Sequence, residues 1–304
     1  MLNRILLPVT LAVAVIAAPA DARGTTAAPH SNASSAKVKT VRHAARSAAP
    51  VAHARTVCTE DYVGGQAPAP VMTSAPPGRI FCHMIYSVSY SVAMLNPLWS
   101  AEHLTRADVK RGDSTYRVEL STFAPEPALT AAEQARDSEF DHNDWDKGHM
   151  TPANDAFDDP SQRDTFLLSN AVPQHYQLNR FLWAYLEGSV HQLAADTGEV
   201  YIVTGPIFAA TPPLMSSRVP IPSATFKAVY IPSTRMAIGY IAENDGTPVC
   251  KVVPVAEIAR QSGVDPFPAL PAAVKAALPH LTLPHGIVIK RNGQRQTRPL
   301  PACA

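Results

Sequence analysis

Residues 141–156 read DHNDWDKGHMTPANDA, and residues 173–195 read PQHYQLNRFLWAYLEGSVHQLAA. The second stretch carries the clearest helical pattern in the chain. Leu178, Leu182, Leu186 and Leu193 recur at helical spacing, Pro173 suits a first helical turn, and Thr197-Gly198 supplies a stop. Asn179, Trp183, Glu187 and His191 are spaced by four, so amide, indole, carboxylate and imidazole form one slowly drifting stripe. Such a stripe is neither a solvated charge face nor an apolar core face. It fits a polar helix edge that meets a wet crevice. In the first stretch, Asp146-Lys147-Gly148-His149 reads on its own only as a charged turn with a histidine after it.

Working outward, residues 84–92 alternate large and small side chains and predict a strand that Asn96-Pro97 ends. Residues 116–120 predict another strand, and residues 128–136 a short helix. Residues 200–204 read as a buried strand closed by Gly205-Pro206. Residues 226–231 and 236–241 read as two strands joined by Pro232-Ser233-Thr234, and residues 255–263 as a short helix ending in glycine. Strands and helices alternate without a regular βαβ rhythm, so the expected class is α+β.

The chain has 304 residues, 46% of them apolar and 17% charged, enough for one sizeable core. A formal net charge of +1 announces no global field for a polyanion, so any such partner must be met by local charge or a metal. The 29 prolines limit long regular elements. Residues 1–22 combine Arg4, an apolar run over 5–18 too short to span a bilayer comfortably, and Ala20-Asp21-Ala22. They read as a cleaved export signal, which makes the expected location secreted or periplasmic. Residues 23–56 hold few large apolar side chains and read as a disordered basic arm. Order is expected over 57–304, with a Pro-rich tail. Four cysteines in an exported chain predict two disulfides. Cys58–Cys82 and Cys250–Cys303 are favoured because each pair brackets one end of the ordered part, and no cysteine has zinc-ligand spacing.

Taken together, the ordered blocks resemble the DNA/RNA non-specific endonucleases, the ββα-metal (His-Me finger) group. That family carries an Asp-Arg-Gly-His box, then Ser-Asn, Pro-Gln, Leu-Asn and Trp followed by Leu-Glu. Here the same order runs Asp146-Lys147-Gly148-His149, Ser169-Asn170, Pro173-Gln174, Leu178-Asn179, Trp183 and Leu186-Glu187. Trp145, Met150-Thr151-Pro152-Ala153, Val203-Thr204-Gly205-Pro206, Phe226-Lys227 and the 258–263 block extend the likeness over roughly residues 80 to 270.

The resemblance implies a nuclease core with a mixed or antiparallel central sheet flanked by helices, spanning 57–304. By the same resemblance His149 is the general base that deprotonates water, and Asn179 is the lone protein ligand of a hydrated Mg²⁺, for which Mn²⁺ substitutes. The ion then bridges the phosphate and stabilises the departing 3′ oxygen, Glu187 accepts hydrogen bonds from its waters, and Asn170 fixes the site or the phosphate. Lys147 stands where the family has arginine and keeps the charge without the bidentate fork. His191 stands where relatives often carry another arginine, and its charge depends on pH. The implied partners are DNA and RNA, with a homodimer and an inhibitor protein as further partner classes and no membrane for the mature chain. No base-reading module is present, so contacts limited to phosphate and metal act on any polynucleotide.

Two other readings use the same residues. One is a nucleic-acid-binding protein that kept the fold and lost turnover; the other is a phosphodiesterase for a smaller ester. His30, His43, His53, His142, His280 and His285 are read as surface or arm histidines.

Overall fold

The computed structural model describes residues 55, 57–71, 78–114, 122–140, 144–281, 287–291, 294–298 and 303. The export signal, nearly all of the basic arm, the strand expected at 116–120 and His142 lie outside them. Residues 48–304 form one compact unit.

Its frame is a seven-stranded sheet. The strands are β1 Arg79–Cys82, β2 Tyr86–Ser91, β3 Asn96–Thr105, β6 Glu199–Ile207, β7 Ala224–Ile231, β8 Met236–Glu243 and β9 Cys250–Val253, and β4 Trp145–His149 and β5 Ala171–His175 pair outside it. The spatial order is β9-β8-β7-β6-β3-β2-β1, and every neighbouring pair is antiparallel. Helices α1 Arg106–Ser114, α2 Asp159–Thr165 and α3 Ala184–Thr197 lie in the long excursion between β3 and β6, which are sheet neighbours; α4 Val255–Ser262 follows the last strand. The class is α+β.

Alternation decides which residues meet which layer. Val200 and Ile202 of β6, Val229 and Ile231 of β7 and Ile238 of β8 face one core, together with Leu182 and Leu186 from the excursion. Val203, Phe226, Ala228 and Ile241 face a second core with Val255 and Ile258 of α4. Both faces are covered, and the central strands are mostly apolar on both sides, with Glu102 and Lys227 as buried charged exceptions. Each leucine so buried contributes about 1.5–3 kcal/mol relative to exposure. Both expected disulfides are present, Cys58–Cys82 and Cys250–Cys303.

The structure corrects three local expectations. Pro173 is not in a helix but in β5, opposite Lys147. A two-stranded ribbon has free edges, where a missing N–H costs nothing, and the helix starts only at Tyr176. Residues 128–136 form turns, not a helix. The buried Gln134 amide donates to the carbonyls of Glu126, Leu129 and Thr130, taking backbone acceptors that a helix would have used. Gly205-Pro206 does not close its strand, because β6 runs on to Ile207. A Cβ at Gly205 would stand 2.7 Å from the Leu98 carbonyl, so glycine lets β3 and β6 approach there.

Candidate active site

The site sits in the excursion between β3 and β6. Strands β4 and β5 pair from Trp145↔His175 to His149↔Ala171, and the chain then turns directly into the helix. The first part of that helix, Leu178–Trp183, is a π turn. It buries Leu178, Leu182 and Trp183 against the sheet.

Strand alternation sends Trp145, Lys147 and His149 to one side of β4, and Asp146 and Gly148 to the other. His149 packs against a pair of touching rings, 4.7 Å from Phe123 and 4.7 Å edge-to-face from Phe166, which are themselves 5.0 Å apart. The residue keeps a partly exposed edge, but its Nε2 is buried and has no hydrogen-bond partner among the described residues. Burial among these rings disfavours the imidazolium and lowers the His149 pKa to about 4. A neutral imidazole is the form a base needs.

On the other side, Asp146 organises the start of the helix. Its Oδ2 accepts from Asn179 Nδ2 at 2.9 Å and from Arg180 Nε at 2.7 Å, and its Oδ1 accepts from Arg180 Nη2 at 2.6 Å. Burial alone would raise the Asp146 carboxyl, but the hydrogen bonds from Arg180 and Asn179 hold it below its ordinary value. The bond fixes the Asn179 amide by its nitrogen. Among the described residues nothing donates to its Oδ1, so that oxygen keeps both lone pairs. Asp146 thus holds both Asn179 and Arg180, a contact that the sequence does not disclose. No direct bond joins His149 to Asn179; Asp146 and His149 are separated by about 10 Å of strand.

Asn170 is fully buried. Its Oδ1 accepts from Thr151 N at 3.0 Å, and its Nδ2 donates to the carbonyls of Thr151 and Thr165, both at 2.9 Å. It therefore clamps the chain leaving His149 and offers no atom to a phosphate. Lys147 reaches Asp137 at 2.8 Å and lies over the Phe140 ring, on the His149 side of the strand. His191 sits in a buried ion-pair geometry, Nδ1 to Asp155 Oδ1 at 2.6 Å, tying α3 to the 3-10 turn Ala153–Asp155. Glu187 presents a buried Oε1 with no partner among the described residues. Burial pushes its pKa up to about 8, against the pull of the nearby Lys227 ammonium.

Gly148 has a steric role. A Cβ there would lie 2.4 Å from Gln174 Oε1 and 2.5 Å from Gln174 Cβ, and Gln174 is itself fully buried. We expect Gly148→Ala to lower stability by about 1–3 kcal/mol through overpacking and to displace His149 next to it. Urea unfolding beside an activity assay checks this; an unchanged midpoint would show that Gln174 yields freely.

Two antiparallel strands leading into a helix, with a histidine on the first strand and an asparagine on the helix, define a ββα-metal core. Comparison with known proteins gives the same class. The description of DNA/RNA non-specific endonucleases fits residues 68–273, and the chain belongs to that family. Nuclease C1 of Cunninghamella echinulata var. echinulata is 36% identical over 121 residues, 39% of this chain and 48% of that protein. Mitochondrial nuclease EXOG of Mus musculus is 32% identical over 120 residues, 39% of this chain and 32% of that protein. The chain thus spans about half or less of the length of these relatives, at 48% and 32%. In the crystal structure of the EndoG/EndoGI complex, a chain superposes with a TM-score of 0.55 at 24% identity, over 65% of this chain and 91% of that chain. That likeness concerns the fold alone.

Proposed function

We propose that the protein is an exported, metal-dependent endonuclease that hydrolyses phosphodiester bonds of DNA and RNA without strong sequence preference, with residues 57–304 as its nuclease domain. The observation that carries this reading is the Asp146-anchored Asn179, whose Oδ1 is left unengaged on the same helix as the orphaned Glu187 Oε1. One neutral amide oxygen, with a buried carboxyl two turns further on, suits a hard cation that keeps most of its waters. Among the described residues no group of three or more His, Cys, Asp and Glu side chains could hold a metal instead. A bound Mg²⁺ or Mn²⁺ would supply charge neutralisation at the phosphate and help for the leaving oxygen. His149 takes the proton of the attacking water, and Asn170 keeps His149 in place through Thr151. Two disulfides and the apolar N-terminal run support export. Among the described residues no helix is long and apolar enough to cross a membrane.

The test is plasmid DNA and a structured RNA incubated with mature protein, with Mg²⁺ and then with EDTA. Cleavage of both that EDTA abolishes is the expected result; no cleavage by folded protein would favour the binding-protein reading, whose support is that Lys147 and His191 stand where the family has arginines.

The acid limb of activity gives a further prediction. Protonation removes the base, and the free protein holds His149 neutral down to about 4. We expect kcat/KM to fall only near that pH, and kcat to fall at somewhat higher pH, because a bound anionic phosphate favours the imidazolium. Stability follows the same sign. Unfolded His149 binds its proton near 6.5 and the folded residue near 4, so its contribution is complete above 6.5 and is lost as pH falls between the two. An acid limb in kcat/KM near 6.5 would contradict this environment for His149.

A further inference from the structure

The outer face of the π turn carries side chains that the hydrolytic chemistry does not use. A π turn bonds i to i+5, so residues four and five apart share a face. Leu178, Leu182 and Trp183 occupy the buried face, and Tyr176, Arg180 and Phe181 fall on the opposite one. Phe181 is 48% exposed and the Arg180 side chain 62% exposed.

Tyr176 and Arg180 are in contact, and Phe181 follows Arg180 on the same face. Arg180 Cζ stands 5.6 Å from the centre of the Tyr176 ring, and His175 stacks on Tyr176 with centroids 4.8 Å apart and planes at 27°. The Trp145 ring meets His175 edge-on at 5.5 Å. A run of π faces therefore leads along β4 and β5 to the turn that holds Asn179. Arg180 spends Nε and Nη2 on Asp146, the same carboxylate that orients Asn179. Among the described residues its Nη1 takes no bond and remains a donor directed away from Asp146.

We propose that Tyr176, Arg180 and Phe181 form a platform that takes an unpaired nucleobase and its flanking phosphate. Single-stranded or locally opened polynucleotide then binds more tightly than closed duplex. Each part of the ligand has a counterpart on the surface. Aromatic rings accept the face of any base, which is why stacking tolerates sequence. The guanidinium stacks with its plane and donates with its edge, a pairing that lysine does not offer. In a closed duplex the base faces are already stacked on each other, and only the phosphate contact remains. The inference rests on the nuclease reading for the identity of its ligand as nucleic acid.

The experiment is fluorescence anisotropy of a labelled single-stranded oligonucleotide and of a hairpin duplex, with mature protein in EDTA so that nothing is cut. Phe181→Ala and Tyr176→Ala should each weaken single-strand binding by about tenfold and duplex binding by no more than about twofold. Tyr176→Phe keeps the ring and should restore the single-strand affinity, and near-ultraviolet circular dichroism confirms that each variant is folded. Equal losses on both ligands, or unchanged single-strand affinity in both alanine variants, would overturn the platform. Wild-type protein that cleaves plasmid with Mg²⁺ but shows no single-strand preference sinks the platform alone. Wild-type protein that prefers single strands but cleaves nothing sinks the nuclease reading and leaves the platform standing.

Discussion

Replacing His149 with alanine is expected to lower the cleavage rate by about 10²- to 10⁴-fold, the usual loss for a general base. The size of the effect follows from the surroundings. His149 packs against the Phe123–Phe166 pair, and among the described residues no other titratable side chain stacks on these two rings. Nucleic-acid binding should survive, because phosphate grip comes from cations and not from a neutral imidazole. The fold should survive too, since the substitution removes a buried nitrogen that has no partner along with the ring packing. Added imidazole offers the sharper check. Removing the ring opens a cavity beside the touching Phe123 and Phe166 rings, so free imidazole should enter it and restore part of the rate in a saturable way. A variant that kept more than about a tenth of wild-type activity would place the base elsewhere.

What the sequence discloses here is order and period; what it hides is contact. The ordered blocks from Asp146 to Glu187 mark the family because each block is local and their succession is rarely met by chance. The hairpin through Pro232-Ser233-Thr234 and the stop at Gly198 are equally local, and both stand in the structure. Pro173 misleads because proline suits both a first helical turn and an edge strand, and only the pairing with Lys147 distinguishes them. The π turn is invisible to periodicity, since Leu178, Leu182 and Leu186 keep their spacing whichever way the backbone bonds. The bond from Asn179 to Asp146 joins residues 33 apart in sequence. Short-range reading could name both residues without showing that one holds the other. The same holds for Asn170, whose burial and three side-chain hydrogen bonds make it a clamp on Thr151 and Thr165. His191, read as a pH-dependent charge beside the site, is buried against Asp155 because α3 packs its inner face onto the turn that follows β4.

The last expectation concerns how Asn179 is held. If Asn179 Oδ1 is the metal's protein ligand, Asn179→Ala should cost most of the activity and raise the Mg²⁺ concentration needed for whatever activity remains. Asn179→Asp separates binding from catalysis. It keeps an oxygen and adds a charge, so it should bind metal more tightly while neutralising part of the ion's pull on the phosphate, and turnover should fall. The structure adds a complication that sharpens this test. Asn179 donates to Asp146 through Nδ2, and an aspartate has nothing to donate, so Asn179→Asp also sets two carboxylates against each other. Asp146→Asn probes the same bond from the other end. It removes the charge that holds both Asn179 and Arg180 but leaves Asn179 itself intact. Loss of such an orienting partner typically costs about 10- to 100-fold in metal affinity. Calorimetric titration with Mn²⁺ reads that affinity without any turnover. The expected ranking is Asn179→Ala weakest, Asp146→Asn intermediate and wild type tighter than both. Affinity unchanged in Asn179→Ala and in Asp146→Asn alike would mean that the cation sits elsewhere, and that the bond between these two side chains serves only to dock the helix on its strand.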